Sequence, residues 1–305
     1  MEKENKFVAT IKHPRLLILF VISRFPRIVR SDKLYYKLQY YCFTGRWLNL
    51  DTPMTYVEKM QWLKVYDRNP LYTTMADKYA VKDYVANKIG AQYIIQTLGV
   101  WDRPEQIDYD KLPKQFVLKA THGGGALDVI ICKDKSSLNK SAVNMKMNNS
   151  LNSNYWRMRE HQYKDIPRKI IAETYLEDET GQLTDYKVMC FDGKAKLIQV
   201  HRNRFTRQTQ DIYDINWNKV KIWQRGYPYT DDVVDKPAVL EEMIKCSEDL
   251  SQGIPQIRVD WYVVNGKLYF GELTLDDSGG FSDWEPKEWN DKIASWIDLS
   301  KVQKM

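Results

Sequence analysis

Residues 258–274 read RVDWYVVNGKLYFGELT, and this pattern predicts a β-hairpin. Apolar and polar residues alternate on both sides of Asn265-Gly266, a pair that is typical of a tight hairpin turn. A strict two-residue turn places Asp260 and Glu272 on opposite faces of the hairpin, because side chains alternate along a strand. A three-residue loop, with a bulge at the glycine, places both carboxylates on the same face.

If the hairpin has the three-residue loop, its two carboxylates are predicted to form a metal site. Asp260 then lies opposite Phe270, and Glu272 lies diagonally from it and opposite Arg258. Diagonal side chains are roughly 7–8 Å apart, so both carboxylates reach a common Mg²⁺. Thr274 completes a surface of polar residues on this face. The alternative is an exposed face with one cross-strand pair of arginine and glutamate.

Residues 116–125 read FVLKATHGGG, which predicts a buried strand followed by a glycine turn. Glycine lets backbone N–H groups approach phosphate oxygens because no side chain stands in the way. The glycines Gly123, Gly124 and Gly125 match neither the P-loop pattern nor the dinucleotide-binding pattern, since a strand-like DVIICKD follows them. An ordinary mobile turn between two strands is the alternative interpretation.

The composition indicates a globular chain with one large domain or two ordinary ones. It has 305 residues, of which 43% are hydrophobic and 13% aromatic. The four cysteines are far apart without a CxxC pair, and the four histidines form no HxxxH or HExxH motif. These spacings argue against a zinc enzyme and a disulfide framework, so we expect a cytoplasmic protein.

The basic residues are concentrated at the amino end. The net charge is +6, and residues 1–50 contain ten lysines and arginines against three acidic residues. Within them, residues 15–30 read RLLILFVISRFPRIVR, whose apolar run is far shorter than the ~20 residues of a membrane span. A cleavage site of small residues is missing, which argues against a secretory signal. Two interpretations remain, a basic helix attracted to anionic lipid and a core-packing helix with arginine flanks.

The remaining patterns predict an α+β fold, because helices and strands are mixed without regular alternation. Residues 1–70 read as helices, and Thr55 with Glu58 forms a candidate capping box. Residues 75–90 predict one further helix that ends at Gly90.

The order of these features resembles that of ATP-grasp ligases. Lys78 precedes a helix, Lys119 precedes the glycine turn, and AETYL at residues 172–176 stands where the family has its hinge. From residues 48–70, LNLDTPMTYVEKMQWLKVYDRNP, to the hairpin the chain is similar to the TupA-like branch. That branch is associated with the synthesis of teichuronopeptide and other surface polysaccharides.

The resemblance implies an α+β, ATP-grasp fold in which two lobes clamp ATP. Residues 1–70 would form a basic, helical N-terminal region, too short and too helical for the Rossmann-like domain of many relatives. Residues 71–172 would form the lobe with the glycine lid. Residues 173–305 would form the lobe with the adenine hinge and the metal-binding hairpin.

The resemblance also implies roles for single residues. Glu173 would accept from the adenine amino group, the backbone of Tyr175 and Leu176 would meet the ring, and Asp185 or Glu177 would hold the ribose. The implied nucleotide-binding residues are Lys78, Lys119, Gly123, Gly124, Gly125, Glu173, Tyr175, Leu176, Asp185 and Lys187. Those implied for the metal are Asp260, Glu272 and Thr274, and those implied for catalysis are Arg258 and Lys119.

The chain departs from the family pattern at the metal site. The usual Glu-x-Asn is replaced by Glu272-Leu273-Thr274. Either the threonine hydroxyl replaces the amide oxygen, or Asp276 or Asp277 supplies a ligand.

The expected activity is ATP- and Mg²⁺-dependent amide formation through an acyl phosphate. By the family association, a uronic acid of a capsular or other surface-polysaccharide precursor supplies the carboxylate and an amino acid supplies the amine. Arg202 and Arg204 are candidates for binding the anionic substrate. The basic amino end suits work at the inner face of a membrane.

Two other classes of function remain as alternatives. A glycosyltransferase often carries a DxD metal motif, whereas Asp231-Asp232 and Asp276-Asp277 are adjacent pairs. A nucleic-acid binder fits the basic, aromatic-rich residues 1–50, and steep salt dependence would reveal it. We expect a ligase with no nucleic-acid partner.

Overall fold

The computed structural model describes residues 15–25, 27–124, 128–178, 181, 183–203, 208–227 and 229–304. Within them the chain forms eight α-helices, a four-stranded and a five-stranded antiparallel sheet, and a small two-stranded sheet. This is the mixed α+β architecture that the sequence predicts. Two predicted site residues, Gly125 and Arg204, lie outside the described residues.

The amino end is helical, as predicted, with α1 at Arg15–Arg24, α2 at Asp32–Thr44 and α3 at Tyr56–Tyr66. The capping box at the start of α3 is confirmed. The hydroxyl of Thr55 accepts the N–H of Glu58 at 3.3 Å, and the Glu58 carboxylate accepts the N–H of Thr55 at 3.1 Å. Among the described residues, no helix has both the length and the apolar character needed to cross a membrane.

The smaller sheet contains β1 (Thr97–Trp101), β2 (Phe116–Ala120), β3 (Val129–Cys132) and β4 (Ile170–Thr174) in the order β1-β4-β2-β3. Helix α6 (Lys140–Asn152) packs against it. Their shared core buries apolar side chains from both, among them Phe116, Leu118, Ile170, Ala172, Val143 and Met147.

The larger sheet has the order β10-β9-β5-β6-β7. Its strands are β5 (Asp185–Phe191), β6 (Lys194–Arg202), β7 (Thr209–Asp214), β9 (Gln256–Val264) and β10 (Lys267–Thr274). The short strands β8 (Trp223–Gln224) and β11 (Trp284–Glu285) pair with each other beside it. Two further helices follow, α7 (Leu240–Ser251) and α8 (Glu288–Ser295).

The larger sheet has an apolar face and a largely polar face, because residue types alternate along its central strands. The apolar face packs on α7 and on α4 (Leu71–Ala76) and α5 (Ala80–Ile89). Towards one end, the other face packs on the N-terminal helices and α8. Its central part carries charged and amide side chains, which form the site described below. The predicted domain boundaries at 70/71 and 172/173 stay a prediction. In the structure, β4 ends at Thr174, and α4 and α5 share a core with the larger sheet.

The single helix predicted over residues 75–90 is wrong in one respect, because it is broken between α4 and α5. The carboxylate of Asp77 accepts the N–H groups of Tyr79 at 2.8 Å and Ala80 at 3.3 Å, which caps a new helix. The N–H of Lys78 donates instead to the carbonyl of Thr121 at 3.0 Å. The break therefore holds Lys78 beside the glycine turn.

Candidate active site

The β9–β10 hairpin turns at Asn265-Gly266 in two residues, so the predicted three-residue loop is wrong. Both residues have positive φ, 51° and 71°, as a type I′ turn requires. The two carboxylates nevertheless share a face, because the pairing shifts by one residue further along the hairpin. Phe270 pairs with Trp261, but Glu272 then pairs directly with Asp260 and Thr274 with Arg258.

The shift is a β-bulge at Gly271, which has no partner in the register. A Cβ on this residue would lie 3.0 Å from the carbonyl oxygen of Asp260 and 3.2 Å from the ring of Tyr262. A larger residue would therefore push the two strands apart. Glycine inside a strand is a known signal of a bulge, and it is the sequence feature that could have predicted this register.

Arg258 connects the acidic groups of the hairpin. Its Nε and Nη2 donate to the two carboxylate oxygens of Asp260 at 2.7 and 2.9 Å. Nη2 also lies 3.2 Å from Oε1 of Glu272 and 3.1 Å from the hydroxyl of Thr274, while Nη1 donates to Asp277. Burial alone would lower the pKa of Arg258, but Asp260 and Asp277 raise it well above its ordinary value. The guanidinium therefore stays charged.

Asp260 lies deep in the site, and Glu272 lies at its surface. The side chain of Asp260 is 2% exposed and also accepts from the ammonium of Lys187, whereas that of Glu272 is 43% exposed. Burial works against ionisation of Asp260, yet Arg258 and Lys187 together lower its pKa. Asp260 is thus a fixed anion, and Glu272 is the accessible carboxylate.

A second group of charges surrounds Glu173, at the end of β4. Lys119 pairs with one carboxylate oxygen, and Lys82 lies 2.6 Å from the other. Although burial opposes ionisation, these two lysines hold the pKa of Glu173 below its usual value. Sequence reasoning missed Lys82, which lies on α5, four residues after Lys78.

A cavity of about 380 Å³ joins the hairpin to the glycine turn, and we call it the hairpin cavity. The ammonium of Lys78 donates to the carbonyl of Gly123, and burial lowers its pKa. The predicted lysine, glycines and acidic hairpin therefore meet in one space. Six of the residues that line it are Lys78, Gly123, Gly124, Arg258, Glu272 and Thr274.

The donors in the hairpin cavity fit a nucleotide with Mg²⁺. In the described part of the chain, no three acidic, histidine or cysteine side chains are grouped as a metal site. Mg²⁺ bound with nucleotides commonly takes only one or two carboxylates and fills its shell with phosphates and water. Glu272, Asp260 and the hydroxyl of Thr274 present such oxygens around the Arg258 guanidinium. Lys78 and the glycine turn supply donors for phosphate on the opposite wall.

The residues predicted for adenine and ribose lie along β4, β5 and their connection. Tyr175 is half-buried, and its hydroxyl donates to Glu177 at 2.9 Å; Leu176 follows it. Asp185 is 1% exposed and stands two residues before Lys187, hence on the polar face of the sheet. Their contacts with a nucleotide stay a prediction.

Arg202 is not brought to the site. Gln199 lies opposite Lys187 on the polar face, and Arg202 stands three residues further on, so its side chain points to the other face. There it donates to the buried Asp211 at 2.8 Å. Arg202 thus lies on the face away from the hairpin cavity, and its predicted substrate role stays a prediction. A register shift in the β5–β6 hairpin, between Met189 and Cys190, decides which face it occupies.

A buried chain of amides extends from the site and was not predicted. Gln224 donates to Asp277 at 2.9 Å, and Gln210 donates to Gln224 at 2.7 Å. Gln210 also lies 3.1 Å from the ring of His201 and 3.3 Å from Gln199. These contacts join residues that are far apart in sequence, so no local pattern could reveal them.

Comparisons with known proteins give similarities to solved structures and to one family model. D-alanine–D-alanine ligase from Bacillus anthracis, in a complex with ATP, is 17% identical with a TM-score of 0.43, over 75% of this chain and 63% of that one. D-cycloserine synthetase DcsG is 14% identical with a TM-score of 0.42, over 75% of this chain and 72% of that one. This chain thus spans less than two thirds of the Bacillus anthracis ligase. No curated protein matches it.

The sequence itself matches the family model described as TupA-like ATP-grasp over residues 58–297. Because this match covers well over half of the chain, the protein belongs to the TupA-like ATP-grasp family and has the α+β ATP-grasp fold.

Proposed function

We propose that this protein is an ATP- and Mg²⁺-dependent carboxylate–amine ligase. The observation that carries the proposal is the meeting of Arg258, Glu272, Lys78 and the glycine turn around one cavity. Membership of the ATP-grasp family supports a nucleotide as the occupant. The two lobes of the proposed clamp are residues 71–172 and 173–305.

The proposed reaction has two steps. An oxygen of the substrate carboxylate attacks the γ-phosphorus of ATP, the bond from that phosphorus to the β-phosphate oxygen breaks, and ADP leaves. The amine nitrogen then attacks the carbonyl carbon of the acyl phosphate and loses its proton to solvent. The carbon–oxygen bond to phosphate breaks, so the products are an amide, ADP and phosphate.

The residues of the hairpin cavity have distinct roles in this reaction. Lys78 and the glycine turn at Gly123 and Gly124 bind phosphate oxygens, and Arg258 stabilises the negative charge that develops on the transferring group. Asp260 keeps the guanidinium oriented through its two hydrogen bonds. When bound, Mg²⁺ would be held by Glu272, Asp260 and Thr274 and would neutralise phosphate charge.

Lys119 is proposed to bind phosphate from the side of the smaller sheet. It extends from β2 next to the glycine turn, where Glu173 holds its ammonium. Glu173 and the backbone of Tyr175 and Leu176 are proposed to meet the adenine, and Asp185 the ribose. Lys187, which pairs with Asp260, is proposed to reach phosphate when that pair opens.

The proposed substrates are a uronic acid of a surface-polysaccharide precursor and an amino acid. The association of the family with such polymers supports them, and Arg204 stays a predicted contact for the acidic sugar. A screen of uronic acids against amino acids for ADP release tests the proposal. Glu272→Gln should abolish release, whereas Glu241→Gln, an equal loss of charge on an exposed part of α7, should not.

Two results, one from this screen and one from thermal melts with ligands, would contradict the ligase. One is ADP release that Glu272→Gln leaves unchanged. The other is thermal stabilisation by nucleotide sugars with none by ATP and Mg²⁺, which would favour a glycosyltransferase.

We also propose that α1 contacts an anionic membrane surface peripherally. Leu19 and Ile22 are buried, but Phe20 is 64% exposed, and the neighbouring Leu17 and Ile18 are 53% and 42% exposed. The basic flanks of this apolar face favour anionic lipid. Phe20→Ser should weaken co-sedimentation with anionic vesicles at low salt, and Val233→Ser, at a site 75% exposed elsewhere, should not. Equal sedimentation of both variants and the wild type would contradict the proposal.

A further inference from the structure

A second cavity, of about 300 Å³, lies beside the hairpin cavity, and we call it the α3 cavity. Its walls come from the end of α3, the segment that leads into α4, and the first residue of β9. The polar residues that matter here are Lys64, Asp67, Arg68, Tyr72, Gln256 and Asp276. Of these six, Asp276 is also a candidate metal ligand of the nucleotide site, and the other five lie outside that site.

The α3 cavity adjoins the reacting groups. Asp276 lines both cavities, so its side chain lies at the boundary between them. Gln256 stands two residues before Arg258 on β9, on the same face of the sheet and about 7 Å along the strand. A small molecule in the α3 cavity therefore lies within reach of a group held by Arg258.

Three polar side-chain atoms in the wall, on Gln256 and Arg68, have no hydrogen-bond partner among the described residues. Gln256 is 2% exposed, yet both its amide oxygen and its amide nitrogen lack a hydrogen bond. Nη1 of Arg68 is likewise buried without a partner, although Nε of the same guanidinium donates to the carbonyl of Val65 at 3.1 Å and Nη2 lies 3.5 Å from the carboxylate of Asp32. Each unpaired buried group costs about 1–3 kcal/mol. Because these atoms have almost no accessible surface, an occupant pairs with them only after the wall side chains move, and it would then recover this free energy.

The charged side chains of the wall favour an occupant that carries both a positive and a negative group. Lys64 and Arg68 provide two cations, against the three carboxyl groups of Asp67, Asp165 and Asp276. Tyr72 donates to Asp67 at 2.6 Å, and Gln162 donates to Asp276 at 2.9 Å.

Asp276 is the acid nearest the hairpin cavity, so a ligand ammonium is favoured there. The unpaired donor of Arg68 favours a ligand carboxylate at the other part of the wall, since arginine binds carboxylates well.

We propose that the α3 cavity binds the amine substrate, and that this substrate is an amino acid. Its ammonium lies at Asp276, facing the hairpin cavity, and its carboxylate lies at Arg68 and Gln256. This assignment rests on the proposed ligase function, because it requires an amine that attacks an acyl phosphate.

The variant Gln256→Leu tests the assignment. Leucine replaces an amide that has no partner, so without ligand the variant should melt at or above the wild-type temperature. Ligand-observed NMR and calorimetry measure the binding of the common amino acids. The affinity of the variant should be about tenfold or more weaker, because the amide that contacts the ligand is lost. Arg68→Leu should weaken it as well, and Gln92→Leu, at an exposed site, should leave it unchanged.

Hydroxylamine separates this proposal from the ligase itself. It is a small nucleophile that traps an acyl phosphate without needing the α3 cavity. Gln256→Leu should therefore form hydroxamate at the wild-type rate while its KM for the amino acid rises. Wild-type protein that forms no hydroxamate would contradict the ligase function. Unchanged amino-acid binding in Gln256→Leu, or a rise in KM for the carboxylate substrate instead, would overturn the cavity assignment.

Discussion

Nη2 of Arg258 lies 3.2 Å from Oε1 of Glu272, and the bulge at Gly271 makes this contact possible. In a hairpin that continued the register of the two-residue turn, Glu272 would face the helices on the other side of the sheet. The bulge places its carboxylate beside that of Asp260. One glycine therefore decides whether the acids of this hairpin form a site.

Gly271→Val should disrupt this relationship. Its Cβ would lie 3.0 Å from the carbonyl oxygen of Asp260, so the strands must separate or return to the other register. We expect a loss of about 1–3 kcal/mol in stability by overpacking and a fall in ATP-dependent activity of tenfold or more. Chemical denaturation and ADP release at a temperature where the variant is folded measure the two effects. Full activity would show that the bulge is not needed.

Asp260 and Glu272 should respond differently to loss of charge. Asp260→Asn leaves Arg258 and Lys187 buried without their shared anion, which costs roughly 3–5 kcal/mol. Glu272→Gln should change stability by less than about 1 kcal/mol, because its partly exposed pair with arginine contributes little. Denaturant titration compares them. Equal destabilisation by both variants would contradict the division into a buried anion and an accessible one.

Lys82→Met should make the free energy of unfolding depend less on pH in the acidic range. The pKa of Glu173 is depressed in the folded state, so its contribution is present above the ordinary value of 4.5 and is lost as the pH falls below it. Removing Lys82 leaves Glu173 with Lys119 alone. We expect a loss on the order of 1–3 kcal/mol at neutral pH that shrinks below pH 4.5. A loss that is the same at every pH would contradict this.

Glu160 should change the pH dependence of stability in the direction opposite to Glu173. Burial, with Asp276 adding to it and Lys64 opposing it, raises its pKa from 4.5 to about 7. The folded protein then holds a proton that the unfolded chain releases, so this contribution to stability falls as the pH rises from 4.5 to about 7. Glu160→Gln should remove that decline and stabilise the protein above pH 7 by on the order of 1 kcal/mol. Thermal melts across this pH range test it, and parallel curves for wild type and variant would contradict it.

Local patterns predicted much of the architecture. The capping box of α3 and the hairpin at Asn265-Gly266 are local signals that the structure confirms. The face on which a side chain lies was less predictable, because a single bulge reverses it. This is why Glu272 reached the site by a different register than expected and Arg202 did not reach it.

Contacts between distant segments could not be predicted from local patterns. The break that holds Lys78 beside the glycine turn depends on a hydrogen bond to Thr121, 43 residues later in the sequence. The α3 cavity likewise combines α3 with Gln256 and Asp276. Such pairings follow from packing, which a single sequence does not display.

Calorimetric titration of ATP, with and without Mg²⁺, tests most directly whether the glycine turn and the acidic hairpin hold one nucleotide. Wild type should bind ATP more tightly when Mg²⁺ is present. Lys78→Met should weaken binding under both conditions by about tenfold or more, through loss of a charged phosphate contact. Glu272→Gln should remove the gain that Mg²⁺ provides, and Glu241→Gln should keep it. ATP binding that is unchanged in Lys78→Met, or a Mg²⁺ effect that survives in Glu272→Gln, would contradict the account.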